Sequence, residues 1–389
     1  MDPNTLKALQ GAAGAGGGPY TGDLAVAHHT SPYVSVYPWD SGFGTKYADP
    51  STTPTGNGDG GCAWTPDGAD LAVSHSTSPY VSVYPWSSGF GTKYANPSTL
   101  PTGTGRSVAF SPDGADIAVA HHTSPYISVY PWSSGFGTKY ANPSTLPTAM
   151  GTTVAWSPDG ADIAVSDDGT PYIHAWPWSS GFGTKYANPS STLPGGGYSC
   201  AFSSDGADIA VGHDGNTWLS VFPWSSGFGT KYANPATLPS GYCFSVTWSP
   251  DGADIVAGSV NSPYVHAYPW SSGFGTKYSD PSTLPAGNGM GVAFTPDGAD
   301  LAVAHDTSPY VSVYPWSSGF GTKYANPSTL PTGIGYSTAW TPDGADLAVA
   351  HGTSPYVSVY PWDAGFGTKY SNPSTLPTGI GIGVAFSPA

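Results

Sequence analysis

Large apolar residues alternate with small or polar ones in short runs along this chain, and the runs return in the same order from one end to the other. In the stretch from Ser107 to Pro147 they read VAF, DIAVAH, YISVY and GTKY, separated by turn words such as SPDG. Alternation with a period of two predicts half-buried β-strands, and no segment of the unit carries helical periodicity. In SPDG the proline sits at the second turn position, aspartate follows and glycine closes, the chemistry of a type I turn between the first two strands. Along the third strand Val311, Val313 and Pro315 oppose Ser312, Tyr314 and Trp316, and the tryptophan at its end is expected to fill the gap to the neighbouring repeat.

The Pro-Trp pair marks the period. Its tryptophan falls at Trp39, Trp86, Trp132, Trp178, Trp224, Trp270, Trp316 and Trp362, one step of 47 residues and six of 46. Such a period predicts a solenoid or a propeller, and four short strands per unit predict a propeller blade. The first repeat starts at Tyr20 without its opening strand, and a spare copy of that strand, Gly383 to Pro388, ends the chain. The expected fold is therefore an all-β, eight-bladed β-propeller of four-stranded blades over residues 20–389, with the C-terminal strand completing blade 1. Residues 1–19 differ: Pro3 and Thr5 to Gln10 suit a short helix, AAGAGGG suits a flexible tether, and the segment is expected to be a tether or docking peptide.

Composition narrows the class. The chain has no glutamate but 53 glycines and 40 prolines, which disfavours helices and supplies turns. The formal charge is −15 and the ten basic residues are spread nearly one per repeat, so no basic stripe follows a phosphate backbone and nucleic acid is not an expected partner. The rim lysines, from Lys46 and Lys93 to Lys369, are expected to guard exposed strand edges. No apolar run reaches the roughly 18 residues of a membrane span. The N-terminus also lacks the pattern of a secretion signal. Cys62 and Cys200 take the valine slot of the opening strand in distant repeats and, with Cys243, read as small core residues rather than a bridge.

The words VAFSPDGADIAV and a strand ending in tryptophan resemble blades of the WD40-type β-propellers across residues 20–389. That resemblance implies the strand order, and it places the turns from strand two to three and from strand four to one on one face. Trp-Asp has become Pro-Trp here and the Gly-His before the inner strand is absent, departures that fall on the family's buried Asp-His-Ser/Thr-Trp network. The opening MDPNTLKALQGAAGAGG and the word PWSSGFGTKYANPSTLP are also similar to tail-fibre or virion-surface proteins of marine tailed phages. This second resemblance implies a virion component made in the host cytoplasm, joined to virion or tail subunits through residues 1–19.

Repeats of one unit provide their own comparison. SPDGAD and WSSGFGTKY barely change, whereas the segment before the inner strand reads TGNGDGG, TGTGRS, TAMGTT, GGGYS, SGYCFS, AGNGMG, TGIGYST and TGIGIG. The turn from strand two to strand three varies as well, as in His28-His29, Asp167-Asp168 and His351-Gly352. Both sets fall on one face in the propeller wiring. There Asn57, Asp59, Arg106, Met150, Tyr198, Tyr242, Met290, Ile334, Tyr336, Ile380 and Ile382 are expected around the channel mouth, joined by His29, His122, Asp168, Asp214 and Asp306 as a binding surface for a host-surface protein or glycan or a neighbouring subunit.

No catalytic residue, metal site or cofactor is expected. Adjacent pairs such as His213-Asp214 point to opposite sides of a strand and no G-x-S-x-G motif accompanies them. The first histidine of each pair is expected at a strand end, bonded to backbone. Equivalent histidines on separate blades stand too far apart for one zinc ion. Turn chemistry takes the first aspartate of DGAD and solvent the second, which leaves no calcium cage. The glycine words precede no helix, so no phosphate loop forms. Three functions fit: a non-enzymatic virion or tail propeller with a variable binding face, a purely structural decoration protein, or a lectin using repeated aromatic grooves between blades.

Overall fold

The computed structural model describes residues 19–389, so all but the last residue of the expected tether lies outside the described residues. Among the described residues every regular element is a β-strand, and the strands form eight antiparallel sheets of three. Seven sheets run inner, middle, outer in chain order, as in Gly105–Phe110, Asp116–His121 and Ile127–Pro131 of blade 3. In the remaining sheet Thr21–His28 lies between Val34–Asp40 and Gly381–Phe386, with Val26 opposite Val384. Each inner strand touches those of its neighbours, and the contacts lead from Gly381–Phe386 to Cys62–Trp64 and back around. The architecture is an eight-bladed β-propeller.

The fourth run forms no ladder, so the described sheets have three strands where four were expected. Tyr140 donates its amide to Val129 O (3.0 Å) and Gly137 to Pro131 O (2.9 Å). Pro131 has no N–H to return a bond, and its equivalents recur in every Pro-Trp pair, so the edge cannot continue. The lysine of this run bends back. Lys93 reaches the Asn96 carboxamide and the Tyr94 carbonyl, and partial burial lowers its pKa, so it is a paired group and not a free rim charge.

The core lies between blades. Trp132 packs edge-on against Tyr94 of the preceding blade (5.1 Å between centroids), Phe110 (5.6 Å) and Phe136 (5.1 Å), as its expected role of filler requires. Inner strands end alternately in Trp64, Phe110, Trp156, Phe202, Trp248, Phe294, Trp340 and Phe386. Each of these tryptophans donates its indole N–H to a carbonyl of the preceding inner strand, as Trp248 does to Ala201 O at 3.1 Å. A phenylalanine asks for no such acceptor. The alternation meets no fault only with an even number of blades, and Phe386 falls in turn between Trp340 and Trp64.

Two expectations about polar residues are corrected. The second aspartate of DGAD is buried, not solvated: Asp116 accepts the indole N–H of Trp178 in the next blade (2.7 Å) and the hydroxyl of Tyr140 in its own (2.9 Å). The arrangement recurs around the ring, for example at Asp208 with Trp270 and Tyr232. It bolts each blade to the next, because a buried donor without an acceptor costs about 1–3 kcal/mol. The recurrent histidine does end the middle strand, but its main partner is a side chain. His121 Nε2 meets Ser128 Oγ of the outer strand at 3.0 Å, both fully buried. In blade 6 the two residues exchange places as Ser259 and His266 (3.1 Å), and in blade 4 the pair is Asp167 and His174 (3.1 Å).

Candidate recognition face

Register decides which loops meet. Gly105 at the start of the inner strand is opposite His121 at the end of the middle strand, so the segment before the inner strand and the turn after the middle strand share one end of the blade. A backbone clamp joins them. His29 N bonds to Ile380 O (3.1 Å), His122 N to Thr104 O (3.0 Å), Asp214 N to Gly196 O (3.1 Å) and Val260 N to Tyr242 O (3.1 Å). Main-chain groups hold the loops, so the side chains there are free to differ.

A glycine opens most inner strands because nothing larger fits: a Cβ on Gly105 would lie 2.6 Å from Tyr80 O of the preceding blade. Directly after it the register slips, and the extra residue of this β-bulge is left out of the ladder. The bulge residues are Arg106, Thr152, Tyr198, Phe244, Met290, Tyr336 and Ile382, on neighbouring inner strands. Tyr198 and Phe244 meet edge-to-face at 5.4 Å. Thr152 is turned inward, donating to Gly197 O (2.6 Å), and Ile382 is only 5% exposed, so neither is presented. Arg106, the chain's single arginine, is half-buried.

Asn57, Met150, Tyr242, Ile334 and Ile380 belong to the loop before the bulge. Tyr242 and Ile334 are among the most exposed large apolar residues described, at 45% and 37%. The turn residues add polar groups beside them. Asp59 pairs with His29 (2.9 Å), and Asp306 accepts the backbone and side-chain N–H groups of Asn288 (3.0 and 2.8 Å). Asp214 accepts the Tyr198 hydroxyl at 3.4 Å. Asp168 leans over Gly196 from the other side, and burial first, then the charges of Asp214 and Asp167, raise its pKa. His122 is exposed.

Phe244 and Thr152 were not picked out from the sequence, although a signal existed. Every bulge residue stands two places before the valine slot of its inner strand, and counting back from Val246 or Val154 finds both. Among the described residues no three His, Cys, Asp or Glu side chains gather in metal-binding range. The three cysteines are free and buried, and burial pushes the Cys62 thiol up to about 12 and Cys200 to about 11.

No protein-family model and no curated protein matches the chain. Solved structures do. A chain of the mitotic checkpoint complex aligns over 77% of this protein and 89% of its own length at 18% identity and a TM-score of 0.57. A chain of Kuenenia stuttgartiensis hydrazine synthase covers 77% and 94% at 17% identity (TM-score 0.56). A protein of Bacteroides fragilis provisionally assigned as a 6-phosphogluconolactonase covers 94% and 98% at 15% identity (TM-score 0.57). At these identities the likeness is one of fold, and it establishes the β-propeller.

Proposed function

We propose that this protein is a non-enzymatic recognition propeller whose individual loop face binds a protein or glycan surface. One observation carries the reading. On a frame whose buried bolts repeat from blade to blade, the presented bulge residues Arg106, Tyr198, Phe244, Met290 and Tyr336 are nearly all different. Aromatic, sulfur and guanidinium groups set among polar neighbours are the composition of protein-binding surfaces. The WD40-like architecture supports the same reading by analogy.

The setting we assign is a phage virion or tail, with residues 1–19 as the attachment and the loop face turned to the host surface or a neighbouring subunit. Resemblance of the opening peptide and of the repeat word supports it. The C-terminal strand serves as the clasp of the ring, a reading supported by its pairing with Thr21–His28 and by the place of Phe386 in the tryptophan–phenylalanine alternation. The fourth run of each blade acts as an outer cover, a reading supported by its backbone bonds to the outer strand. The test is a chain with Arg106, Tyr198 and Tyr336 all changed to alanine, offered to purified phage particles and to cells of the bacterium they infect. Loss of binding with an unchanged melting temperature is expected. Full binding by that variant ends the proposal, and absence of the wild-type chain from particles analysed by mass spectrometry ends the virion assignment.

A further inference from the structure

The monotonous side of the ring carries a feature that recognition by the loop face does not use. Between blades 4 and 5 a groove of about 270 Å³ is lined by Tyr186 and Ala187 on one side and Pro223, Ser225, Ser226 and Phe228 on the other. An equivalent groove of about 300 Å³ lies between blades 6 and 7, lined by Tyr278, Ser279, Pro315, Ser317, Ser318 and Phe320. Each is open to solvent, and no charged side chain lines either of them.

The two grooves coincide with a local widening. Tyr186 and Tyr278 stand 5.3 and 5.6 Å from the tryptophan of the next blade, against 5.0 Å for Tyr47 and Tyr140 and 4.9 Å for Tyr232. Gly227 and Gly319 at the groove wall have φ of 127° and 125°, whereas Gly181 and Gly273 of tight interfaces have 142° and 145°. The words forming the grooves recur at every interface, so the remaining interfaces hold the same parts in a narrower setting.

The wall residue equivalent to Ser226 has a backbone conformation that favours glycine, with φ of 50–55° at Ser41, Ser88, Ser134, Ser180, Ser226, Ser272 and Ser318. Drift under folding constraint alone admits Gly or Asn there, as it has admitted change throughout the loop face of the same repeats. Instead a hydroxyl persists on an exposed loop, and only blade 8 departs, with Ala364. In the groove between blades 4 and 5 this hydroxyl joins that of Ser225 beside two aromatic rings and a proline.

We infer that these inter-blade grooves bind single residues of neutral glycans. A sugar ring presents apolar C–H groups on one face and hydroxyls around its edge. Tyr186, Phe228 and Pro223 supply the matching apolar walls, and Ser225, Ser226 and the glycine backbone supply donors and acceptors. With no cation in the lining and a chain charge of −15, acidic sugars are rejected. A groove at the low end of ligand-pocket volumes, about 300 Å³, suits one monosaccharide held weakly and strengthened by repetition around the ring.

Saturation-transfer NMR with methyl glycosides of neutral hexoses, 6-deoxyhexoses and N-acetylhexosamines, with sialic acid alongside, tests this on the full chain. Glycine in place of all seven serines relieves the left-handed backbone and preserves the fold, so it removes the hydroxyls without unfolding the ring. The inference expects a neutral sugar to bind at millimolar concentration and to lose at least fivefold in affinity in the seven-glycine variant. It also expects the Arg106, Tyr198 and Tyr336 alanine variant to keep the binding. No neutral sugar bound, preference for sialic acid, full binding by the seven-glycine variant, or loss confined to the loop-face variant each overturns it, and the last outcome would leave the loop face as the site.

Discussion

Acidification should unfold this ring from within, through histidines that the fold keeps neutral. His28, His75, His121, His213, His266, His305 and His351 are essentially unexposed, and burial lowers the pKa of each from 6.5 to about 4. At His75 the geometry fixes the tautomer. Nδ1 faces the Thr77 carbonyl (2.8 Å), which can only accept, so Nδ1 carries the hydrogen and Nε2 accepts the Ser82 O–H (3.0 Å). A second proton would take away that acceptor. The unfolded chain binds protons from about pH 6.5 downward and the folded chain only near pH 4, so stability falls as the pH drops through this window. At pH 5 each site loses on the order of 2 kcal/mol. Over the seven sites the loss is on the order of 14 kcal/mol, which matches the whole stability of an ordinary domain at about 5–15 kcal/mol. Carboxyls act lower down. Those held below their usual range by turn bonds, such as Asp113, add a loss only at more acidic pH, and those raised by burial, such as Asp116, oppose it. Tryptophan fluorescence in a pH titration should show the ring opening between pH 5 and 6, with the urea midpoint already lower at pH 6 than at pH 7.5. A native spectrum down to pH 4.5 with an unchanged urea midpoint would refute the reasoning.

Other expected outcomes follow from the same contacts. Asp116→Ala strands the buried Trp178 and Tyr140 donors and should cost about 2–5 kcal/mol, read as a lower urea midpoint at constant slope. His121→Ser should destabilise blade 3, and adding Ser128→His should recover much of the loss because blade 6 uses that exchanged order. A double-mutant cycle should show coupling of about 0.5–3 kcal/mol, and additive losses would deny the pairing. Tyr20→Phe removes a hydroxyl that donates to Ser387 O (2.8 Å) across the chain ends, and should lower stability by about 1 kcal/mol in the same assay.

The period, the all-β class and the eightfold count could be read from the sequence because each depends on local pattern and copy number. The aspartate of DGAD could not, since its partners Trp178 and Tyr140 lie on two different blades and nothing local distinguishes a solvated carboxylate from a bolt. The fourth run failed as a strand for a reason that was present in the sequence, the missing N–H of Pro131 and its equivalents. The histidine–serine pair is not legible locally because the two residues are seven apart and exchange places in blade 6, so that the histidine reads as a strand-end residue bonded to backbone. On the loop face the sequence found the right segments but not the bulge. Arg106, Tyr198 and Tyr336 stand out by their chemistry, whereas Phe244 is marked only by its spacing from Val246, which gains meaning from the register slip.

The most direct test is an amide hydrogen-exchange footprint of the intact chain bound to purified phage particles or to cells of their host. The account expects protection at Arg106, Tyr198, Phe244 and Met290 and in the turns carrying His122 and Asp214, with the SPDG turns exchanging as freely as in the unbound chain. Protection confined to the SPDG turns, with the loop face exchanging as in the unbound chain, would contradict it.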